Sequence, residues 1–124
     1  DGLAQAYATV GALTMNGDTI TSMVIDAVQA SVNFDTAGQI TTDLTAAQPS
    51  KNQLGDDYGM RDFSSIGKEW YEQAAGFAAY AIGKTPAEVS GIAVTEDGKA
   101  ADADLAASVT ISIGAFQTLV DKAA

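Results

Sequence analysis

Cysteine and histidine are both absent from the chain, and proline occurs only twice. Their absence removes the usual ligands of zinc, copper and iron, and with them Cys–His and Ser–His–Asp catalysis. No disulfide can form, which fits the cytoplasm and equally the exterior of a Gram-positive cell. Cations are scarce too: 6 Lys and Arg stand against 16 Asp and Glu, a net charge of −10. Nucleic acid and anionic membrane surfaces demand Lys/Arg clusters, so neither is an expected partner. No apolar run approaches the ~18 residues of a membrane span, so direct insertion into a bilayer is not expected. Residues 1 onward carry no basic or apolar leader, so a targeting signal is expected to have been removed or never present.

What is present is an ordinary globular composition. Apolar residues make up 47 % of 124 positions, enough for one hydrophobic core and a single domain over 1–124. Abundant Ala, Thr, Asp and Gly with few Lys and Arg leans towards an exported protein. Tyr7, Val10, Leu13 and Met15 lead into Asn16-Gly17, a strong hairpin signal. Ile20 to Phe34, rich in Ile, Val and Thr and free of proline, reads as one long strand or two joined by a bulge. Asp35 to Gly38 forms a turn, and Gln39–Thr42 a short third strand. Asp43 to Ser64 loses all periodicity, a loop of about twenty residues, and loops of that length are often functional. Ser65 is the expected cap of a helix carrying Trp70, Ala74, Phe77, Ala78 and Ala81, which Gly83 ends. Thr85-Pro86-Ala87-Glu88 combines a capping box with proline at the first helical position, so a short helix begins there. Gly91–Thr95 reads as a strand and Glu96–Lys99 as a turn. A C-terminal helix carries Ile113, Phe116, Val120 and Ala123. The expected class is α+β: an antiparallel meander sheet packed by two main helices plus a short helix.

Three constellations bear on chemistry. Lys51, Arg61 and Lys68, half of the six cations, fall in one stretch with Tyr58, Phe63 and Trp70. A ring with a phosphate tail wants that mixture, apolar walls with cations and amides. The alternative is that Trp70 is core and the cations pair with Asp56, Asp57 and Asp62. Gly55–Met60 could form a calcium loop, but the alternate ligand spacing of an EF-hand is missing, so no metal site is expected. Glu69 and Glu72, three apart, predict a solvated helix face, and no spacing pairs two carboxylates for acid–base work.

The segment Asp104-Leu105-Ala106-Ala107-Ser108-Val109-Thr110 runs into the last helix. Thr110 is expected at its cap or first turn, where unpaired N–H groups favour an anion such as phosphate. The alternative is that Thr110 or Ser112 simply caps the helix. This segment resembles the FMN-binding domain of exported flavoproteins and of subunits of membrane-bound redox complexes. That family carries Asp-x-x-Ser/Thr-Gly-Ala-Ser/Thr, and a flavin transferase esterifies FMN phosphate to the last hydroxyl. Asp104 and Thr110 match its outer positions, whereas Ala107, Ser108 and Val109 stand at the inner ones. The stretch Gly17–Ile25 is similar to the family's opening hairpin and strand. The resemblance implies FMN as cofactor, with its phosphate near Thr110, Asp104, Ser108 and Ser112. Lys51, Arg61 or Lys68 would add charge there, and Tyr58 or Trp70 would lie against the isoalloxazine. Lys51–Met60 and Ile66–Ala75 also resemble uncharacterised exported or lipid-anchored proteins of Firmicutes. That implies a cell-surface domain, lipid-anchored in the full-length protein, beside a neighbouring domain of the same chain. Two functions follow. One is a cell-envelope flavin domain for electron transfer. The other is a non-catalytic interaction module without cofactor, which predicts an exposed patch of Tyr58, Met60 and Phe63.

Overall fold

The computed structural model describes all 124 residues, Asp1–Ala124. Strand β1 (Gly2–Asn16) and strand β2 (Thr19–Phe34) form one antiparallel hairpin. The two-residue loop Gly17-Asp18 connects them, and Gly17 has φ 61°. A residue without Cβ takes that angle at no steric cost, as a tight II′-type connection requires. The register pairs Leu13 with Met23, Gly11 with Ile25 and Thr9 with Ala27, then slips between Thr14 and Met15. The slip leaves Thr21 without a partner, as a bulge. Side chains alternate between faces, so one extra residue reverses the parity. Ile20 therefore shares the buried face with Met23, Ile25 and Ala27. The opposite face carries Ala4, Ala6, Ala8, Val10 and Ala12 beside Val24, Val28, Ala30 and Val32.

The expected meander is not completed. Gln39–Thr42 contributes one bridge, between Phe34 and Ile40, and the sheet has two strands. The Asp35 carboxylate accepts the N–H groups of Ala37 and Gln39, closing a tight turn. Asp43 does the same for Thr45, so the chain turns away before a ladder can grow. Gly91–Thr95 likewise makes only the bridge from Val94 to Ala100.

The segment expected as a bare loop contains helix α1 (Lys51–Leu54) and two 3₁₀ turns, Gly55–Tyr58 and Arg61–Phe63. Ser50 caps α1: its hydroxyl accepts Gln53 N–H, and Gln53 Oε1 accepts Ser50 N–H. Helix α2 (Trp70–Ala81) follows. Its cap is Glu69 rather than Ser65, and Glu72 reaches back to accept Glu69 N–H at 2.8 Å. Gly67 has a positive φ and leaves the intervening residues outside the helix. Helix α3 (Pro86–Ser90) shows the expected capping box between Thr85 and Glu88. Helices α4 (Ala103–Ala106) and α5 (Gly114–Ala123) complete the chain. No helix is long and apolar enough to cross a membrane.

Helix α2 lies on the buried face of β2 and α5 lies against β1. Phe77 and Phe116 meet at the centre with ring centroids 5.2 Å apart, and Trp70 stands edge-on to Phe116 at 5.9 Å. Burying a ring such as Phe77 contributes about 2 kcal/mol from area alone. Gly11 lets α5 approach: a Cβ there would sit 2.5 Å from Leu119 Cδ2 and 2.7 Å from the Val24 carbonyl oxygen. Two bonds tie the hairpin to the end of α2, Gly83 N–H to Ile20 oxygen (2.8 Å) and Ile20 N–H to Lys84 oxygen (2.9 Å). The result is an α+β domain: one hairpin layer under a layer of helices.

Candidate ligand cleft

The C-terminal helix starts later than its sequence suggests. Ile113 N–H donates to Gly98 oxygen at 3.0 Å, and Ser112 bridges Lys99. These bonds hold the backbone against the 95–100 turn, so α5 begins at Gly114 with Ile113 at its cap position. Neither Thr110 nor Ser112 caps it. Thr110 instead lies in the connection between α4 and α5.

Gln73 takes up the amides that were expected to face an anion. Its Oε1 accepts Thr110 N–H at 2.8 Å and Ile111 N–H at 3.3 Å, and the Thr110 hydroxyl at 3.3 Å. Its Nε2 donates to Ser64 Oγ and to the Lys68 carbonyl. The side chain is 0 % exposed, so this one amide clamps residues 110–111 to residues 64–68. Glu69 performs a parallel task on the other side. It is 2 % exposed, not part of a solvated face, and its two oxygens accept Met60 and Arg61 N–H at 2.9 Å each. Charged acceptors make the stronger hydrogen bonds, so Glu69 pins the 59–63 turn onto the start of α2.

Between these clamps lies an open cleft of about 450 Å³, lined by Thr110, Ser112, Ser64, Gln73, Lys99 and Phe63, among others. Phe63 stands at its rim, 89 % exposed. An adjoining recess of about 230 Å³ shares Met60, Ile111 and Ser112 with it and reaches inward to Tyr7, Lys51, Tyr58 and Trp70. Lys51 is only 5 % exposed. Its Nζ donates to Tyr7 Oη at 2.7 Å and lies 4.9 Å and 5.1 Å from the ring centroids of Tyr58 and Trp70. The Tyr7 ring is near as well, at 4.5 Å, but its oxygen is closer, so this contact is a hydrogen bond first. None of the three ion pairs of the chain involves Lys51.

Of the residues singled out from sequence, Lys51, Tyr58, Trp70, Thr110 and Ser112 meet around this pair of cavities. Four do not. Arg61 binds Glu72 (2.8 Å) and Asp56 (3.0 Å), and the Glu72 bond first, then the Asp56 charge, raises its pKa. The Glu69 N–H and Arg61 hold the Glu72 carboxyl below its ordinary value. Lys68 gives its carbonyl to Gln73 and lines neither cavity. Asp104 is exposed in the first turn of α4, whose cap is Asp102. Ser108 faces α2, where a Cβ on Gly76 would lie 3.2 Å from its own Cβ. The expected patch is also incomplete, because Tyr58 and Met60 are half-buried beside the exposed Phe63.

Tyr7, Glu69, Gln73 and Lys99 are the residues that sequence reasoning left out of the site, whereas Phe63, named with the cations and aromatics of 51–70, does line the cleft. One signal was available: Gln73 interrupts the apolar stripe Trp70, Ala74, Phe77, and a polar group there must be bonded.

FMN, the cofactor that the resemblance implies, fits this site only in part. The amides of Thr110 and Ile111 are already satisfied by Gln73, so they do not form a phosphate cradle. The aromatic walls and the buried cation of the recess remain available to a ring and an anionic group. Neither cavity is lined by Asp or Glu, so no carboxylate is poised for proton transfer. The arrangement can bind and orient a ligand. Comparisons with known protein families, with curated proteins and with solved structures find no match to this chain.

Proposed function

We propose that this domain is a non-catalytic, cell-envelope binding module that holds a small planar ligand in the cleft, with FMN as the first candidate. The observation that carries the reading is convergence. Five residues drawn from two distant stretches, Lys51, Tyr58 and Trp70 from 51–70 and Thr110 with Ser112 from 110–112, border two adjoining cavities without a carboxylate. Apolar walls with a few polar groups are the usual make-up of cofactor sites. The same proposal takes the hairpin, the Phe34–Ile40 bridge and the two longer helices as a reduced form of the FMN-binding family's meander-and-helix layout. An exported, lipid-anchored setting agrees with the acidic, cysteine-free composition. A flavin held here would serve electron transfer.

The test is direct. Trp70, the only tryptophan, borders the recess, so adding FMN should quench its emission saturably with one ligand per chain. No change up to about 1 mM FMN, the weak end of specific binding, overturns the flavin reading.

A second reading, an interaction module without cofactor, is favoured by one observation. The outer hairpin face presents an Ala/Val surface with Val10 and Val24 more than half exposed. Exposed apolar patches mark contact sites. A partner covering that face would lower hydrogen exchange of hairpin amides and leave Trp70 emission unchanged.

A further inference from the structure

The recess contains one full charge, and that charge is incompletely matched. Lys51 carries three N–H donors, and the only acceptor bonded to them is Tyr7 Oη at 2.7 Å. The chain has 16 carboxylates, yet none pairs with this buried ammonium. Burying a cation without an anion is unfavourable, and the Tyr58 and Trp70 rings offset that only in part. Tyr7 adds a directional argument. Its oxygen accepts from the ammonium, so its own O–H hydrogen must point elsewhere, and Tyr7 lines the recess at 52 % exposure. The polar corner of the recess is thus built of donors.

We propose that Tyr7 and Lys51 together form a receptor for the anionic oxygen group of a small aromatic ligand, a carboxylate or a phosphate. One oxygen takes an N–H of Lys51 and another takes the Tyr7 O–H, while Trp70 and Phe116 flank the ligand's body. Ring faces repel negative charge, so the anion enters on the side left open beside Tyr7 Oη rather than through Tyr58 or Trp70. This inference rests on reading the cleft as a binding site, and it specifies which group of the ligand is recognised and where.

The experiment follows Trp70 emission in the full chain with five probes: benzoate, benzyl alcohol, inorganic phosphate, FMN and riboflavin. Each is titrated into the unaltered protein and into Lys51→Met and Tyr7→Phe, with circular dichroism verifying the fold. Benzoate should bind saturably and benzyl alcohol at least tenfold more weakly, because a charge-assisted hydrogen bond is lost. Each substitution should weaken benzoate about tenfold and leave benzyl alcohol unchanged. Binding of phosphate and FMN but not benzoate or riboflavin would support the site with phosphate as its source. Affinities that are equal in all three proteins overturn the proposal, as does silence of benzoate, phosphate and FMN alike. FMN binding that survives both substitutions leaves the cleft reading standing and removes the anion receptor. Benzoate binding lost in both, with FMN never bound, removes flavin and keeps the receptor. Should Lys51→Met fail to fold, Tyr7→Phe decides the matter, since its side chain is half-exposed.

Discussion

Gln73 Oε1 lies 2.8 Å from the amide nitrogen of Thr110, joining a side chain of α2 to backbone 37 residues later. Replacing Gln73 by Leu keeps the volume but strips acceptors from two amides and a donor from Ser64 and Lys68. Each buried group left unpaired costs about 1–3 kcal/mol. Gln73→Leu should therefore lower unfolding stability by about 3 kcal/mol in urea, with an unchanged denaturant slope. A loss under about 0.5 kcal/mol would mean the 110–111 connection is held by something else.

Glu69 is the second clamp, and its test is local. In Glu69→Gln the side chain is neutral and one of its two polar ends becomes a donor facing a donor. The Met60 and Arg61 amides should exchange hydrogen markedly faster, while core amides around Phe77 slow or quicken only with global stability. The expected global loss is about 2 kcal/mol. Equal protection in both proteins would show that the 59–63 turn does not depend on this carboxylate.

Acid should weaken the same corner. Glu72 is held below its ordinary value of 4.5, chiefly by Glu69 N–H and then by Arg61. A depressed carboxyl adds stability above 4.5 and loses it as the pH falls through the lowered folded value. Protonation elsewhere works the other way, because it relieves the repulsion of a −10 chain. The informative quantity is therefore a difference. Unaltered protein should be more stable than Glu72→Gln at neutral pH, and the gap should close below pH 4.5. A gap that persists in acid contradicts the assignment.

Gly11 is a packing prediction. Replacing a strand glycine by Ala commonly helps, by restricting the unfolded chain. Here the added methyl would meet Leu119 Cδ2 at 2.5 Å and a backbone oxygen at 2.7 Å. Gly11→Ala should cost about 1–3 kcal/mol by overpacking, read as a lower thermal midpoint. Gly11→Ala combined with Leu119→Ala should recover part of it, since Leu119 is the nearest obstruction.

The parts of this fold that show in the sequence are those governed by neighbours along the chain. Asn16-Gly17 marks the hairpin, Thr85–Glu88 marks α3, and the spacing of Trp70, Phe77 and Ala81 marks α2. The misplacements share a different cause: contacts between residues far apart. Ser65 is an adequate cap, but Glu69, fixed by Met60 and Arg61 amides, starts the helix instead. Thr110 reads as a cap until Gln73 and the Gly98 carbonyl hold 110–113 outside the helix. The third strand fails because Asp35 and Asp43 bond their own following amides. The cleft is half legible for the same reason. Lys51, Tyr58 and Trp70 stand out by type, whereas Tyr7 joins them only because α1 packs on β2 and the Lys51 side chain reaches across to β1.

The outer hairpin face has a last consequence. Ala and Val dominate it along both strands, and Asp26 is its one charge, tethered to the Asn52 amide at 3.1 Å. The β1 margin of this ribbon makes no backbone hydrogen bond outside the hairpin and is a template on which foreign strands can accrete, whereas the β2 margin is partly covered at Ile20, Ile25 and Asn33. Asp26 is therefore expected to act as a gatekeeper against fibre growth. Asp26→Val should shorten the lag of thioflavin-positive assembly at raised temperature; an unchanged lag would show that the helical layer alone guards this ribbon.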